Sequence, residues 1–243
     1  MGRLDRRVAL VTGGGSGIGR GVALAFAAEG AQVAVNHPPG AAEQRLAEAT
    51  CEDMARHGGT AMSVVAAMEA RVRETLGPID ILVNCAGIAS SATVEALDLE
   101  AWDRVIAVHL RGTFLCTRSV LPGMYERNRG TIINTASQLA YKGAPGFSHY
   151  TAAKGGILAF TRSLALEVGP RNVSVNAVAP GATRTPMLDQ VPEETLDAIR
   201  AGIPKGRLAE VADIVPAYLF LASDEARHFV GQCLSPNGGD VFL

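Results

Sequence analysis

Short apolar runs rich in β-branched residues alternate along the chain with longer helical patterns. The short runs predict strands at Val8–Val11, Gln32–Asn36, Ala61–Val65, Ile79–Val83, Thr131–Thr135, Ser174–Val178 and Gln232–Leu234. The longer patterns predict helices at Ile18–Glu29, Ala41–Arg56, Ala66–Leu76, Leu99–Arg127, Tyr150–Val168 and Glu210–Ser223. This alternation predicts an α/β fold in which a doubly wound parallel sheet carries helices on both faces. In such a fold the ligand crevice lies beyond the carboxyl ends of the strands.

Length and composition fit one globular domain over residues 1–243. Apolar residues make up 48% of the chain and charged residues 19%, a balance that argues against disorder. The net charge of −2, without a basic stripe, disfavours a nucleic-acid partner. The cysteines are scattered and no carboxylate–histidine cluster stands out, so we expect neither disulfides nor a metal. The charged start and the short apolar runs predict a cytoplasmic protein without a membrane segment.

A glycine-rich turn joins the first predicted strand to the first predicted helix; it reads Thr12-Gly13-Gly14-Gly15-Ser16-Gly17-Ile18-Gly19. Glycines let the backbone approach a diphosphate closely, and a helix N-terminus offers unpaired N–H groups and partial positive charge. The spacing differs from the common dinucleotide fingerprint, and no P-loop lysine follows. Its position directly after an apolar strand still predicts a nucleotide site at Gly13, Gly15, Ser16, Gly17, Ile18 and Gly19.

Tyr150 and Lys154 are spaced to share one face of a predicted helix. A cation close to a phenol favours the phenolate, and free tyrosine titrates near about pH 10, too high for proton exchange at neutral pH without such help. Ser137, after the fifth predicted strand, is placed to hold a substrate oxygen. An ordinary surface tyrosine and lysine would give the same spacing, so these residues need the support of the other motifs.

Together these features resemble the short-chain dehydrogenase/reductase family over nearly the whole chain. The matching motifs are Thr12–Gly19, Asn84-Cys85-Ala86-Gly87, Ser137 with Tyr150-x-x-x-Lys154, and Pro180-Gly181 with Thr185. The resemblance implies a Rossmann-type sheet of seven parallel strands and a homotetramer or homodimer with the Leu99–Arg127 and Tyr150–Val168 helices at one interface. Within that family, the chain most resembles the 3-oxoacyl-(acyl-carrier-protein) reductases.

The resemblance also implies the roles of single residues. Tyr150 would exchange the proton, Lys154 would bind the nicotinamide ribose and lower the pKa of Tyr150, and Ser137 would orient the substrate oxygen. The implied dinucleotide contacts outside the glycine turn are Asn84, Ala86, Gly87, Tyr150, Lys154, Pro180, Gly181, Thr183 and Thr185.

Two departures from the family lie near these motifs. His109 stands where the family usually has an asparagine that holds a water in the proton relay. Because histidine both donates and accepts hydrogen bonds and titrates near neutrality, it either keeps an altered catalytic relay or simply packs in a partly buried helix. Cys85 replaces the second asparagine of Asn-Asn-Ala-Gly, where we expect a structural adjustment.

Two further departures concern the cofactor. About twenty residues beyond the glycine turn, an acidic residue would indicate NAD and an arginine would indicate NADP. This chain has Asn36 and His37 there, so neither signal is present. Since Asn36, His37 and Ser16 can donate hydrogen bonds to a phosphate, the cofactor is NADP or NAD with a slight preference for NADP. The segment from Gly59 to Gly77 lacks the family's turn against adenine, so we assign no adenine contact there.

The substrate side is expected to be mostly apolar. Its predicted residues are Ser137, Gln138, Leu139, Tyr141, Tyr150, Gly181 and Met187. The resemblance implies a lid near residues 187–208, where a short amphipathic helix is predicted over Leu188–Arg200.

The leading hypothesis is an NAD(P)(H)-dependent oxidoreductase that interconverts a carbonyl and a secondary alcohol, with 3-oxoacyl thioester reduction as the first guess. A sugar or other secondary-alcohol dehydrogenase is the second. A dinucleotide-binding regulator without turnover is the alternative from another class.

Overall fold

The computed structural model describes residues 2–65, 68–189 and 191–242, and in it seven strands form one parallel sheet in the order β3-β2-β1-β4-β5-β6-β7. The strands are β1 Val8–Thr12, β2 Gln32–His37, β3 Ala61–Val65, β4 Ile81–Asn84, β5 Gly130–Thr135, β6 Val173–Val178 and β7 Cys233–Leu234. The helices are α1 Gly17–Ala28, α2 Ala41–Arg56, α3 Met68–Thr75, α4 Leu99–Ile106, α5 Gly112–Glu126, α6 Leu139–Lys142, α7 Ser148–Val168, α8 Glu193–Gly202 and α9 Val211–Ala222. The predicted doubly wound α/β fold is confirmed.

The strands are mostly apolar because both faces of the sheet are covered. Along β1, Ala9 and Val11 join the core packed against α1 and α9, whereas Val8 and Leu10 join the core packed against α5 and α7. Phe26 and Tyr218 fill the first core without exposure, and Met124 fills the second. This two-sided burial is the reason why continuous apolar runs, rather than alternating ones, predicted the strands.

The prediction of one uninterrupted helix after the fourth strand was wrong. The span Leu99–Arg127 is divided into α4 and α5 by a π-helical turn at Ala107–Arg111. A π turn inserts an extra residue into the helix and rotates the following side chains, and here it contains the buried His109. Sequence periodicity is too coarse to register one inserted residue.

Other boundaries shifted by small amounts. The fourth strand runs over Ile81–Asn84 rather than Ile79–Val83, and the last strand is shortened to Cys233–Leu234. Helix α7 begins at Ser148, before the predicted start at Tyr150. The predicted third helix began at residues 66 and 67, which lie outside the described residues, as does residue 190 within the predicted lid helix.

Two negative observations apply to the described residues. Across 2–65, 68–189 and 191–242, no helix is both long and apolar enough to cross a bilayer. Within the same ranges, no group of three or more histidine, cysteine or acidic side chains is arranged to hold a metal ion.

Candidate active site

The carboxyl ends of the central strands bring the sequence motifs to one edge of the sheet. Thr12 at the end of β1 pairs with Asn84 at the end of β4, and Asn84 pairs with Asn134 of β5. The glycine turn, the Asn84–Gly87 turn and the Ser137 turn therefore start side by side. The sheet order also places β1 between β2 and β4, so the order in which successive strands are added reverses beside β1, the point where doubly wound folds bind ligands.

The glycine turn has the shape of a backbone cradle. Gly13 and Gly17 adopt positive φ values of 67° and 50°, which favour glycine. A Cβ on Gly13 would lie 2.8 Å from the Ala86 Cα, and one on Gly17 would lie 3.2 Å from the Thr185 Cγ2. The turn thus contacts the second and fourth motifs, and its backbone opens on the N-terminus of α1. These features fit a dinucleotide diphosphate.

Thr12 is a site residue that the sequence reasoning did not single out. It is 3% exposed, and its Oγ1 accepts hydrogen bonds from the N–H groups of Cys85 (2.9 Å) and Ala86 (3.1 Å). This one hydroxyl fixes the Asn84–Gly87 turn against the glycine turn. The available signal was a threonine at the end of an otherwise apolar strand.

Asn84 lies in a buried polar network. Its Nδ2 donates to the Asn134 Oδ1 (2.9 Å) and the Thr117 Oγ1 (3.2 Å), and the Asn134 Nδ2 donates to the Thr161 Oγ1 (2.9 Å). The Asn84 amide group therefore joins β4 to β5 and α5. A dinucleotide contact through the Nδ2 would break these bonds, whereas the buried Oδ1 has no partner among the described residues.

Asn36 and His37 are not arranged as free phosphate donors. The Asn36 Nδ2 donates to the Val64 carbonyl oxygen at 3.1 Å. His37 is 7% exposed, and its Nδ1 lies 2.8 Å from the Pro38 carbonyl oxygen, which only a donor satisfies. In the neutral ring the Nε2 is then an acceptor. Ser16 caps the start of α1 without a side-chain capping bond, so its hydroxyl remains available.

Tyr150 and Lys154 share one face of α7, as their spacing predicted. The Lys154 Nζ lies 5.6 Å from the centre of the Tyr150 ring, and it donates a hydrogen bond of 2.7 Å to the Thr135 carbonyl oxygen at the end of β5. Ser137 is 7% exposed, and its Oγ accepts the Leu139 N–H at 3.1 Å. The three predicted catalytic groups thus meet where β5 ends.

The pKa of Tyr150 is shifted in the direction opposite to the sequence-based expectation. Burial of the hydroxyl end raises it, and the lowering effect of the Ser137 hydroxyl is smaller. Burial also lowers the pKa of Lys154 to about 8, which weakens the cation expected to favour the phenolate. The spacing brought the two groups together, but desolvation is the largest cause of both pKa shifts.

His109 is 2% exposed, and its ring meets the Tyr150 ring edge-on at 5.2 Å. Its Nε2 lies 2.7 Å from the Ile88 carbonyl oxygen and 3.1 Å from the Ile88 N–H, whereas its buried Nδ1 has no partner among the described residues. Burial lowers its pKa to about 3. The expectation that His109 titrates near neutrality is therefore wrong, because the low-dielectric surroundings disfavour the imidazolium.

The predicted substrate residues separate into two groups. Gln138 is 4% exposed at the start of the Ser137 turn, and Met187 is 42% exposed at the rim. Tyr141 does not join them, because it lines a different cavity of about 760 Å³ with Leu158 and Cys233.

The remaining predicted contacts come from the chain after β6. Pro180 accepts a hydrogen bond from the Gln138 N–H at 3.1 Å, and the Gly181 N–H donates to the Pro236 oxygen at 3.1 Å. Thr183 is 6% exposed, and its hydroxyl donates to the Gly181 oxygen at 2.9 Å. With Thr185 against Gly17, this segment spans the crevice from the Ser137 turn to the glycine turn.

Comparison with known proteins gives matches over nearly the full length. A family model described as enoyl-(acyl carrier protein) reductase matches residues 13–240. An acetoacetyl-CoA reductase from Shinella zoogloeoides is 40% identical over 242 residues, which cover 98% of this chain and 99% of the relative. A 3-oxoacyl-(acyl-carrier-protein) reductase from Thermotoga maritima is 35% identical over 254 residues, which cover 98% and 99% respectively.

A solved structure from Beutenbergia cavernae superposes with a TM-score of 0.90 at 35% identity and covers 97% of both chains. That protein is described provisionally as an NAD(P)-dependent gluconate 5-dehydrogenase, and its crystal contains NADP at low occupancy.

Proposed function

The chain belongs to the short-chain dehydrogenase/reductase family, and from this membership we infer that it is an oxidoreductase that interconverts a carbonyl and a secondary alcohol with NADP or NAD. The family resemblance indicated by the motifs is confirmed. The observation that carries the proposal is the meeting of Tyr150, Lys154 and Ser137 beside the glycine turn at one edge of the sheet.

In the proposed reaction Tyr150 transfers the proton and Ser137 holds the reacting oxygen. The raised pKa of Tyr150 keeps the phenol protonated at neutral pH, which suits a proton donor to a carbonyl oxygen. The dinucleotide, when bound, supplies the hydride. Lys154 anchors the end of β5 through Thr135 and offers its ammonium group to the ribose. We therefore expect the free protein at neutral pH to hold Tyr150 in the protonation state that carbonyl reduction requires.

The proposed cofactor contacts lie in the glycine turn, the Ala86–Gly87 backbone and the Pro180–Thr185 segment. NADP is favoured over NAD because no acid follows β2 to repel a 2′-phosphate, and the solved neighbour at 35% identity contains NADP. The ratio of kcat/KM with NADPH to that with NADH tests this preference. A strong NADH preference would contradict it.

A 3-oxoacyl thioester is the proposed substrate class. The names of two relatives support it, since both describe reductases of such thioesters. The gluconate 5-dehydrogenase description of the solved neighbour favours the second candidate, a sugar or other secondary alcohol. Acetoacetyl-CoA with NADPH and gluconate with NADP⁺, each followed at the nicotinamide absorbance, separate the two.

His109 is proposed to act in the proton relay as an acceptor. If Nε2–H donates to the Ile88 oxygen, Nδ1, which has no partner among the described residues, carries a lone pair on a ring that contacts Tyr150. It can then hold a water, as the family asparagine does. His109→Asn should then keep or raise turnover. A large loss would assign the histidine an essential role of its own.

The assembly and the lid are also proposed. We infer a homo-oligomer, tetramer or dimer, in which α4, α5 and α7 form one interface. Leu99, Trp102, Phe114 and Leu115 on α4 and α5 are 78%, 37%, 45% and 45% exposed, which is costly in water. Helix α8 lies in the proposed lid near residues 187–208, on the single domain that we assign to residues 1–243. We propose a cytoplasmic location.

Tyr150→Phe tests the function directly. It removes the proton donor and keeps the ring, so turnover should fall at least about a hundredfold, within the range for loss of a general acid. The dissociation constant of NADPH, measured by nicotinamide fluorescence, should change little. Tyr125→Phe is the matched control, because Tyr125 packs against Arg171 on another face of the molecule.

The same measurements separate the enzyme from a regulator. A regulator would bind the dinucleotide in wild type and in Tyr150→Phe but turn over no carbonyl or alcohol in either. Retention of full turnover by Tyr150→Phe would overturn the proposed role of the phenol.

A further inference from the structure

The turn that follows β7, Asn237–Asp240, lies between two segments of the proposed active site. On one side it contacts the chain that follows α8. A Cβ on Gly238 would lie 2.8 Å from the Ile203 Cγ2, and the Lys205 N–H donates to the Gly238 oxygen at 3.1 Å. Gly238 adopts a φ of 71°, so the turn needs a residue without a side chain to pack this closely. The turn therefore supports the end of the proposed lid.

On its other side the turn presents the carboxylate of Asp240 to the Ser137 turn. The Asp240 side chain is 8% exposed. Its Oδ2 accepts a hydrogen bond of 2.6 Å from the Gln138 Nε2, and its Oδ1 accepts one of 2.6 Å from the Lys142 Nζ. Bonds to an ionised acceptor are short and strong, and a buried carboxylate that loses such donors is costly.

Three hydrogen bonds together fix Gln138. Its backbone N–H donates to the Pro180 oxygen at 3.1 Å, and its backbone oxygen accepts the Lys142 N–H at 3.2 Å. Its side-chain Nε2 is held by Asp240, so the amide orientation is set and Oε1 is the free acceptor. That oxygen is buried and has no partner among the described residues.

We propose that Asp240 is a positioning residue for substrate binding: it holds the side-chain amide of Gln138 in place beside the base of the lid. This inference rests on the proposed function and deepens it. Asp240 does not touch the reacting atoms. It acts through Gln138, whose buried Oε1 has no partner among the described residues and is kept in one orientation by the bond from Nε2 to Asp240.

The test compares three variants of the full chain with wild type. Asp240→Ala removes both acceptors and should raise the KM for acetoacetyl-CoA about tenfold, the effect of losing one charged hydrogen bond, with kcat changed less than about twofold. Asp240→Asn keeps an oxygen for the Gln138 Nε2 and should stay within about twofold of the wild-type KM. Asp224→Ala, which breaks the ion pair with Arg7 at the opposite edge of the sheet, is the control and should not change KM.

A structural readout accompanies the kinetics. Amide hydrogen exchange of Leu139, Ala140 and Tyr141 should accelerate in Asp240→Ala and stay unchanged in Asp224→Ala. An unchanged KM in Asp240→Ala, or equal effects of the alanine and asparagine variants, would overturn the proposal.

The two proposals fail in different ways. If wild type reduces no carbonyl with either dinucleotide, the proposed function fails, and the exchange measurement still decides the role of Asp240. Acceleration confined to these three amides then supports the positioning role, whereas unchanged or uniformly faster exchange overturns it.

Discussion

Acid should destabilise this protein through His109, and the His109→Asn variant should lose that sensitivity. The folded chain holds His109 with a pKa lowered to about 3, whereas the unfolded chain has the ordinary value of 6.5. Between these values the unfolded chain binds a proton at His109 and the folded chain does not. Stability from this group is therefore complete above pH 6.5 and is lost as the pH falls towards 3.

The magnitude follows from the size of the shift. Each pH unit inside the window costs about 1.4 kcal/mol in the free energy of unfolding, so the fall from pH 6.5 to 4.5 costs about 3 kcal/mol. The residue is 2% exposed, so solvent screens little of this effect. Asparagine does not titrate, and the variant should lack this part of the slope.

Urea unfolding at pH 7.5, 6.5, 5.5 and 4.5, for wild type and His109→Asn, measures the difference. The other titratable groups are present in both proteins, so their contributions to the pH dependence cancel in the comparison. His228→Asn is the control, because His228 is exposed, and its curve should run parallel to wild type. Parallel curves for wild type and His109→Asn would refute the reasoning, and with it the neutral imidazole that offers Nδ1 as an acceptor.

Three other perturbations test the contacts around the crevice. Thr12→Val leaves the N–H groups of Cys85 and Ala86 unsatisfied and should cost about 3 kcal/mol in urea unfolding and weaken NADPH binding, whereas Thr12→Ser should restore both. Burial raises the pKa of the Cys85 thiol, so iodoacetamide at pH 7.5 should leave activity intact; loss of activity that NADPH prevents would contradict this. Gly87→Ala would place Cβ 2.5 Å from the His109 Cε1 and should lower both Tm and kcat/KM, whereas Gly155→Ala, inside α7 and with open space at its Cβ, should lower neither.

Much of the fold could be predicted because it depends on local spacing. Continuous apolar runs of β-branched residues predicted strands buried on both faces, and β1, β4 and β5 are buried throughout. Helical geometry sets the relation between Tyr150 and Lys154, since residues four apart share a face whatever surrounds them. The glycine turn was also readable, because a backbone with positive φ leaves few alternatives to glycine.

The contacts that tune the site required the tertiary structure. Asp240 is distant in sequence from Gln138, and only the packing of β7 beside β6 brings them together. The π turn at His109 inserts one residue into an otherwise regular helical pattern, which periodicity does not register.

The direction in which the pKa of Tyr150 is shifted shows most clearly what the sequence determines and what the tertiary structure decides. Spacing alone placed a cation near the phenol and predicted a lowered pKa. The structure adds the desolvation of both groups, which raises the pKa of Tyr150 and lowers that of Lys154. Sequence determined which groups meet, and tertiary packing decided their charge, because the cost of burying an ion depends on every atom that replaces water around it.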